Sequence, residues 1–138
     1  MILFSILLSC GLLIKVASSE SEIELIISLQ RTACFGTCPI YKIEIYTDGS
    51  GIYTGTRFVE NIGVIEFSLS ENQINLILTQ AEAIGFKNMK EEYSESISDL
   101  PTTFIQIKDK KIRDYVGAPS ELRELENLID KICFKCIN

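Results

Sequence analysis

The sequence contains no histidine among its 138 residues, and it also lacks tryptophan. Histidine is the commonest general base at neutral pH and the commonest metal ligand in proteins, so its absence removes whole classes of enzyme. Ser-His-Asp and Cys-His hydrolases are excluded, as are zinc sites that need histidine. The composition therefore favours a non-enzymatic protein, and it points to no catalytic residue, no cofactor and no metal ligand set of the common kind.

Positive charge is also scarce, because 13 Lys and Arg stand against 19 Asp and Glu, for a net charge of −6. No cluster of Lys and Arg makes a local exception to this acidic balance. Such a surface repels phosphate backbones, so we predict that the protein does not bind nucleic acid. A chain of this length, with 46% hydrophobic residues, is expected to form one packed domain.

Long apolar runs are missing apart from one at the amino terminus. Residues 2–14 are almost wholly apolar, which is too short to span a bilayer but suits the apolar core of a signal peptide. Small residues follow, so residues 1–19 are predicted to be a cleaved signal and residues 20–138 the mature domain. Cys10 is a lipidation candidate, because Leu7 to Cys10 also fits a lipoprotein signal; a retained apolar segment is the third interpretation. Export predicts a periplasmic, outer-membrane-associated or secreted protein that meets a membrane only through the signal or a lipid anchor.

The rest of the chain predicts an α+β fold. Alternating apolar residues indicate strands within residues 22–30, 41–46, 51–60 and 64–69, joined by short turns. The period then changes to that of a helix between Ser70 and Gly85. A hairpin over residues 102–116 and a helix from Ser120 complete the order β-β-β-β-α-β-β-α. This order predicts an antiparallel sheet with two helices packed on one face.

Residues 27–41, with the core CFGTCP-x-Y at residues 34–41, resemble the signature of an uncharacterised bacterial family, domain of unknown function 6438. The resemblance extends over roughly residues 23–132. It also includes Asp48-Gly49, Gly55, Arg57-Phe58-Val59, Gly85-Phe86, Tyr93, residues 99–103, Ala118-Pro119, Leu122, Leu125 and Ile129-Asp130. The resemblance implies an exported single domain, and it implies no activity.

Four cysteines remain when Cys10 is set aside: Cys34, Cys38, Cys133 and Cys136. In an exported protein an even number predicts structural disulfides, and the three connectivities stay open. Two other interpretations give the cysteines a function. The C-terminal CxxC could serve a thiol-disulfide oxidoreductase, although the end of a helix is an unfavourable place for a thiolate. All four thiols could instead bind zinc in a zinc-stabilised interaction domain, and free core thiols are the remaining alternative.

Candidate ligand-binding residues are fewer and rest on weaker signals. Tyrosines such as Tyr41 and Tyr93 can furnish an aromatic recognition surface, although strand tyrosines also pack against their neighbours. Asp99 lies at a turn into a strand, and Arg57 completes the set. Our leading hypothesis is a non-enzymatic module of the bacterial envelope that binds a protein or a cell-wall component.

Overall fold

A seven-stranded sheet with two helices organises the computed structural model, which describes residues 21–96 and 99–138. The predicted signal and Cys10 lie outside the described residues. The sheet order is β4-β3-β2-β1-β6-β7-β5. The strands are β1 (Leu25–Arg31), β2 (Ile40–Tyr46), β3 (Ser50–Arg57), β4 (Gly63–Ser68), β5 (Glu92–Tyr93), β6 (Thr103–Ile107) and β7 (Lys110–Asp114). The helices are α1 (Glu71–Ala83) and α2 (Ser120–Ile137), with a short 3₁₀ turn at Phe86–Asn88.

One face of the sheet forms the core, because every second side chain points to it. In the middle of the sheet Leu29 lies opposite Ile43 on one side and Ile105 on the other, and all three are buried. Leu125 and Ile129 of α2 are also fully buried in this core. The alternation that predicted the strands is therefore the alternation between a helix-covered face and an open face.

The helices begin where local chemistry favours them. Ser70 caps α1 through a capping box, in which its hydroxyl accepts from the Gln73 N–H and the Gln73 side chain accepts from the Ser70 N–H. Gly85 follows the helix in the left-handed conformation, with φ of 68°. Within the described parts of the chain, no helix is both long and apolar enough to cross a membrane.

The α+β class is confirmed, but the prediction of a purely antiparallel sheet is wrong. The segment between α1 and β6 adds a further strand, β5, which pairs in parallel with β7 through Glu92–Arg113 and Tyr93–Asp114. The observed order is thus β-β-β-β-α-β-β-β-α, and the sheet is mixed. Two paired residues leave no periodic signal in a sequence, so the pattern of residues 87–99 resembles an irregular connection.

Candidate functional site

An arginine lies on the core face of the sheet. Arg31 ends β1 two residues after Leu29, so its side chain points to the same face. Its neighbours across the strands are Tyr41 on β2 and Thr103 on β6. Only 21% of the Arg31 side chain is exposed. A cation in this position needs partners, because burial of an unpaired charge is costly.

Those partners come from three elements. Arg31 donates to the Tyr41 hydroxyl (3.0 Å) and to the Thr103 hydroxyl (3.0 Å) within the sheet. From α2, Asp130 accepts at 2.7 Å and Glu126 at 3.3 Å. The guanidinium thus joins the centre of the sheet to the helix that covers it, and we call these five residues the Arg31 network.

Tyr41 closes the network from the other side. Its hydroxyl donates to Asp130 Oδ1 at 2.7 Å while it accepts from Arg31. Burial and the neighbouring Asp130 carboxylate raise the pKa of Tyr41 above its ordinary value. Burial alone would lower the pKa of Arg31, but Asp130 and Tyr41 together raise it, so the guanidinium keeps its charge. The Tyr41 ring meanwhile packs edge-on against Phe134, at 5.4 Å between centroids.

Glu126 is the least satisfied member of the network. The residue is 3% exposed, and its Oε1 has no hydrogen-bond partner, while Oε2 is held by Arg31. Burial raises its pKa to about 7, with a further contribution from Asp114, and the attraction of Arg31 offsets only part of this. Asp114 is itself 7% exposed, and burial raises its pKa too. A proton on Glu126 would remove the negative charge that burial disfavours.

Two loops lie above this network, at the end of the sheet where β1 ends and β6 begins. Hydrogen bonds between Thr32 and Thr102 join the two loops. The Thr32 N–H and the Thr32 hydroxyl both donate to the Thr102 carbonyl, at 3.1 and 2.9 Å. The Thr32 hydroxyl also accepts from the Thr102 N–H at 3.0 Å. The first loop, residues 32–39, is closed by a Cys34–Cys38 disulfide. The Phe35 N–H donates to the carbonyl of Asp99 in the second loop at 3.4 Å.

The first loop presents an aromatic side chain to solvent. Phe35 is 89% exposed, the highest value among the large exposed hydrophobic residues of the described chain. Leu100, in the neighbouring loop, is 39% exposed. Because a phenylalanine gains by leaving water, a loop that holds it outward leaves the ring available to a binding partner. We call Phe35 and Leu100, with the disulfide loop around them, the Phe35 surface.

The comparisons with known proteins bear on this end of the molecule. A family model, domain of unknown function 6438 (DUF6438), matches residues 25–133. The chain belongs to this family. No curated protein matches the sequence, and no solved structure matches it.

The DUF6438 match covers every residue of the Arg31 network and of the Phe35 surface. Two segments that resemble the family signature, 27–41 and 99–103, are far apart in sequence. In the structure they form the paired loops and the strand ends beneath them, and Asp130 reaches them from α2. Family membership supplies no function, because the family is itself uncharacterised.

The four predicted ligand-binding residues are not brought together. Tyr41 is buried in the Arg31 network, and Asp99 lies beside Phe35 with φ of 71°. Arg57 is exposed at the end of β3, where its guanidinium stacks over Phe58 at 4.9 Å. Tyr93 lies on β5, whose place in the sheet is remote from β3, and its hydroxyl accepts from the Lys90 N–H. The site at the loop end thus contains two of the four.

Sequence reasoning did not single out Arg31, Glu126 or Asp130 for a site, although signals for them exist. Arg31 follows Ile27 and Leu29 at the same strand parity, which places a cation in line with core residues. Glu126 lies next to Leu125 on the apolar stripe of α2. Phe35 is recognisable in the sequence only as part of the family signature, because nothing in a single sequence distinguishes an outward phenylalanine from a core one.

The cysteines of the C-terminal CxxC are free thiols in the structure. The helix continues through both positions, so the pairing considered from the sequence is not formed and only the Cys34 and Cys38 disulfide is present among the described residues. Cys133 is fully buried, and burial raises its pKa to about 12, with Asp130 adding to the effect. A redox nucleophile needs an accessible thiolate, so Cys133 is unsuited to thiol-disulfide exchange.

No group of three or more Cys, Asp or Glu in residues 21–96 and 99–138 is arranged to hold a metal ion. A groove of about 640 Å³ lies at the other end of the sheet, between α1 and the β6–β7 hairpin. Phe86 and Ile107 contribute apolar surface to it, and Lys108 and Lys110 lie at its edge beside acidic residues. With charges of both signs and an open shape, this groove gives no chemical class of ligand.

Proposed function

We propose that this protein is an exported, non-enzymatic module of the bacterial envelope, and that it binds a partner protein through the Phe35 surface. The observation that carries the proposal is the exposure of Phe35, 89%, on a loop closed by the Cys34–Cys38 disulfide. Export is supported by the signal-like apolar run of residues 2–14 and agrees with a disulfide, since disulfides persist in oxidising compartments.

Rigidity is what makes the exposed ring useful. A loop fixed before binding loses little conformational entropy when it docks, so more of the contact energy appears as affinity. The disulfide, the paired hydrogen bonds between Thr32 and Thr102, and the Phe35 to Asp99 hydrogen bond all fix this loop. Beneath it, the Arg31 network fixes the strand from which the loop starts.

A protein partner is favoured over a glycan by the chemistry of the surface. The two exposed side chains that define it, Phe35 and Leu100, are apolar and carry no hydrogen-bonding group. Aromatic anchors that enter a partner's pocket carry much of the energy of protein interfaces. A cell-wall glycan would need several hydrogen-bonding side chains at the site. The experiment must therefore distinguish a protein partner from a cell-wall component.

The test begins with a photocrosslinking amino acid at position 35 in cells, and the same amino acid at position 58 as control. Phe58 is also an exposed phenylalanine, at 46%, but it lies at the end of β3. We expect position 35 to give a discrete crosslink to an envelope protein and position 58 to give none.

The envelope protein identified by the crosslink is then purified without the crosslinker. Its affinity is measured for the wild type, for Phe35→Ala and for Phe58→Ala. A hot-spot side chain is worth about 2 kcal/mol, so Phe35→Ala should weaken binding roughly thirtyfold. Phe58→Ala should leave it within about twofold. Equal affinities for the two variants, or co-sedimentation with purified peptidoglycan that depends on Phe35, would refute a protein partner at this surface.

A further inference from the structure

The strand at one edge of the sheet has few of the devices that usually protect such edges. β4 runs for six residues, Gly63–Ser68, and is the terminal strand in the sheet order. Proteins protect edge strands with charged side chains, above all lysine, and with proline, bulges or extreme shortness. The one charged residue of β4 is Glu66. The opposite edge, β5, has two residues, whereas β4 has no lysine and no proline and pairs with β3 without a register shift.

The outer side of β4 offers a row of backbone groups. The Leu69 N–H donates to the Gly49 carbonyl at 2.9 Å, in the same register as the β3–β4 ladder. Because hydrogen-bonding direction alternates along an antiparallel strand, Val64, Glu66 and Ser68 direct their N–H and C=O groups away from β3. Within the described chain these outer groups make no backbone hydrogen bond. Ile62 and Val64, beside them, are 66% and 67% exposed.

We propose that β4 pairs antiparallel with β4 of a second copy of this chain, around a two-fold axis through Ile65. In this register Val64 of each copy exchanges hydrogen bonds with Glu66 of the other, and the two Ile65 side chains face each other. Phe67 of one copy lies opposite Gly63 of the other, where even an added methyl group would meet no atom within 4 Å. This register therefore places no two charged and no two aromatic side chains opposite each other.

The charge of Glu66 disfavours a neighbouring register. An axis one residue further along would place the two Glu66 carboxylates directly opposite each other, and like charges in that position destabilise a strand pair. With the axis at Ile65, each carboxylate faces an uncharged valine. This inference is independent of the proposed function, because the Phe35 surface is formed by the loops 32–39 and 99–102, not by β4.

Position 64 gives a test that leaves the fold alone, since the side chain is 67% exposed. In Val64→Glu a second carboxylate faces Glu66 of the other copy, whereas in Val64→Lys an ammonium faces it. Two cross-strand pairs change per dimer, so the dissociation constants of the two variants should differ by about tenfold or more, with the lysine variant tighter. Combining Val64→Glu with Glu66→Lys should restore dimerisation.

Sedimentation equilibrium on the protein, purified as its cell produces it, measures these dissociation constants, with circular dichroism to verify folding. Hydrogen exchange gives a second measurement: the amides of Val64 and Glu66 should become protected as protein concentration rises, since they point outward in the monomer. A monomeric wild type at high concentration, as expected if an extended peptide of another protein pairs with β4, would overturn the proposal. Identical dissociation constants for Val64→Glu and Val64→Lys would overturn it as well.

Discussion

Replacing Glu126 with glutamine should remove a pH dependence from the stability of the fold. Burial raises the pKa of Glu126 to about 7 from an ordinary value of 4.5. A raised folded-state pKa means that the folded protein holds the proton more tightly than the unfolded chain. The stabilisation is therefore complete below pH 4.5 and is lost as the pH rises through about 7.

The magnitude follows from the pKa difference. One pKa unit corresponds to about 1.4 kcal/mol, and the interval between pH 5 and pH 8 contains most of the shift. As the pH rises over that interval, deprotonation of Glu126 should therefore lower the unfolding free energy of the wild type by about 2 to 3 kcal/mol. The charged groups that act on this carboxyl, Arg31, Asp114 and Asp130, remain in the glutamine variant.

Urea unfolding at pH 5 and pH 8, followed by far-ultraviolet circular dichroism because the chain has no tryptophan, measures the effect. The quantity to compare is the change in unfolding free energy between the two pH values. Between pH 5 and pH 8, Glu126→Gln should lose about 2 to 3 kcal/mol less unfolding free energy than the wild type loses. Glu124→Gln, on an exposed position of the same helix, is the control and should follow the wild type. Parallel curves for all three proteins would mean that Glu126 is ionised in the fold, with its Oε1 satisfied in another way.

Three further predictions concern the same end of the molecule. Arg31→Leu should lower the unfolding free energy by about 3 to 5 kcal/mol in urea titrations at pH 7, because Asp130 would be left without its cation; a gain in stability would contradict this. Replacing Cys34 and Cys38 with serine should cost about 2 kcal/mol, the loop-closure entropy of a five-residue ring, and a loss below about 0.5 kcal/mol would mean that hydrogen bonds alone fix the loop. Cys133 should react with iodoacetamide at pH 8 no faster than the protein unfolds, since burial raises its pKa to about 12; rapid labelling of the folded protein would contradict its burial.

The parts of the fold that a sequence predicts are those built by neighbouring residues. The period of two in Tyr41, Ile43 and Ile45 predicts β2, and the Ser70–Gln73 capping box predicts the start of α1; both are confirmed. The sequence does not reveal β5, because its two residues are a strand only by pairing with β7, which follows it by about twenty residues. Pairing of this kind is tertiary, and no local pattern records it.

In the candidate site, too, local features could be predicted from the sequence and contacts between distant residues could not. The Cys34–Cys38 disulfide is one of the pairings that the cysteine count leaves open, and the structure contains it. The Arg31 network did not follow, because it joins residues that lie far apart along the chain, from β1 to α2. A charged residue at core parity shows that a partner must exist, but it does not show which of the many acidic residues supplies the carboxylate.

The Arg31 network also explains how the loops above it acquire a fixed position. Slipping β1 by one residue would turn Arg31 to the open face of the sheet and leave the half-buried Asp130 and the buried Glu126 without a cation. Removing one member of a buried charge pair costs several kcal/mol, which exceeds what a few exposed cross-strand contacts could return. We infer that the network selects one register for β1 against β2 and β6. Since Thr32 and Thr102 directly continue these strands, the same selection fixes the base of the disulfide loop and thereby the place where Phe35 meets solvent.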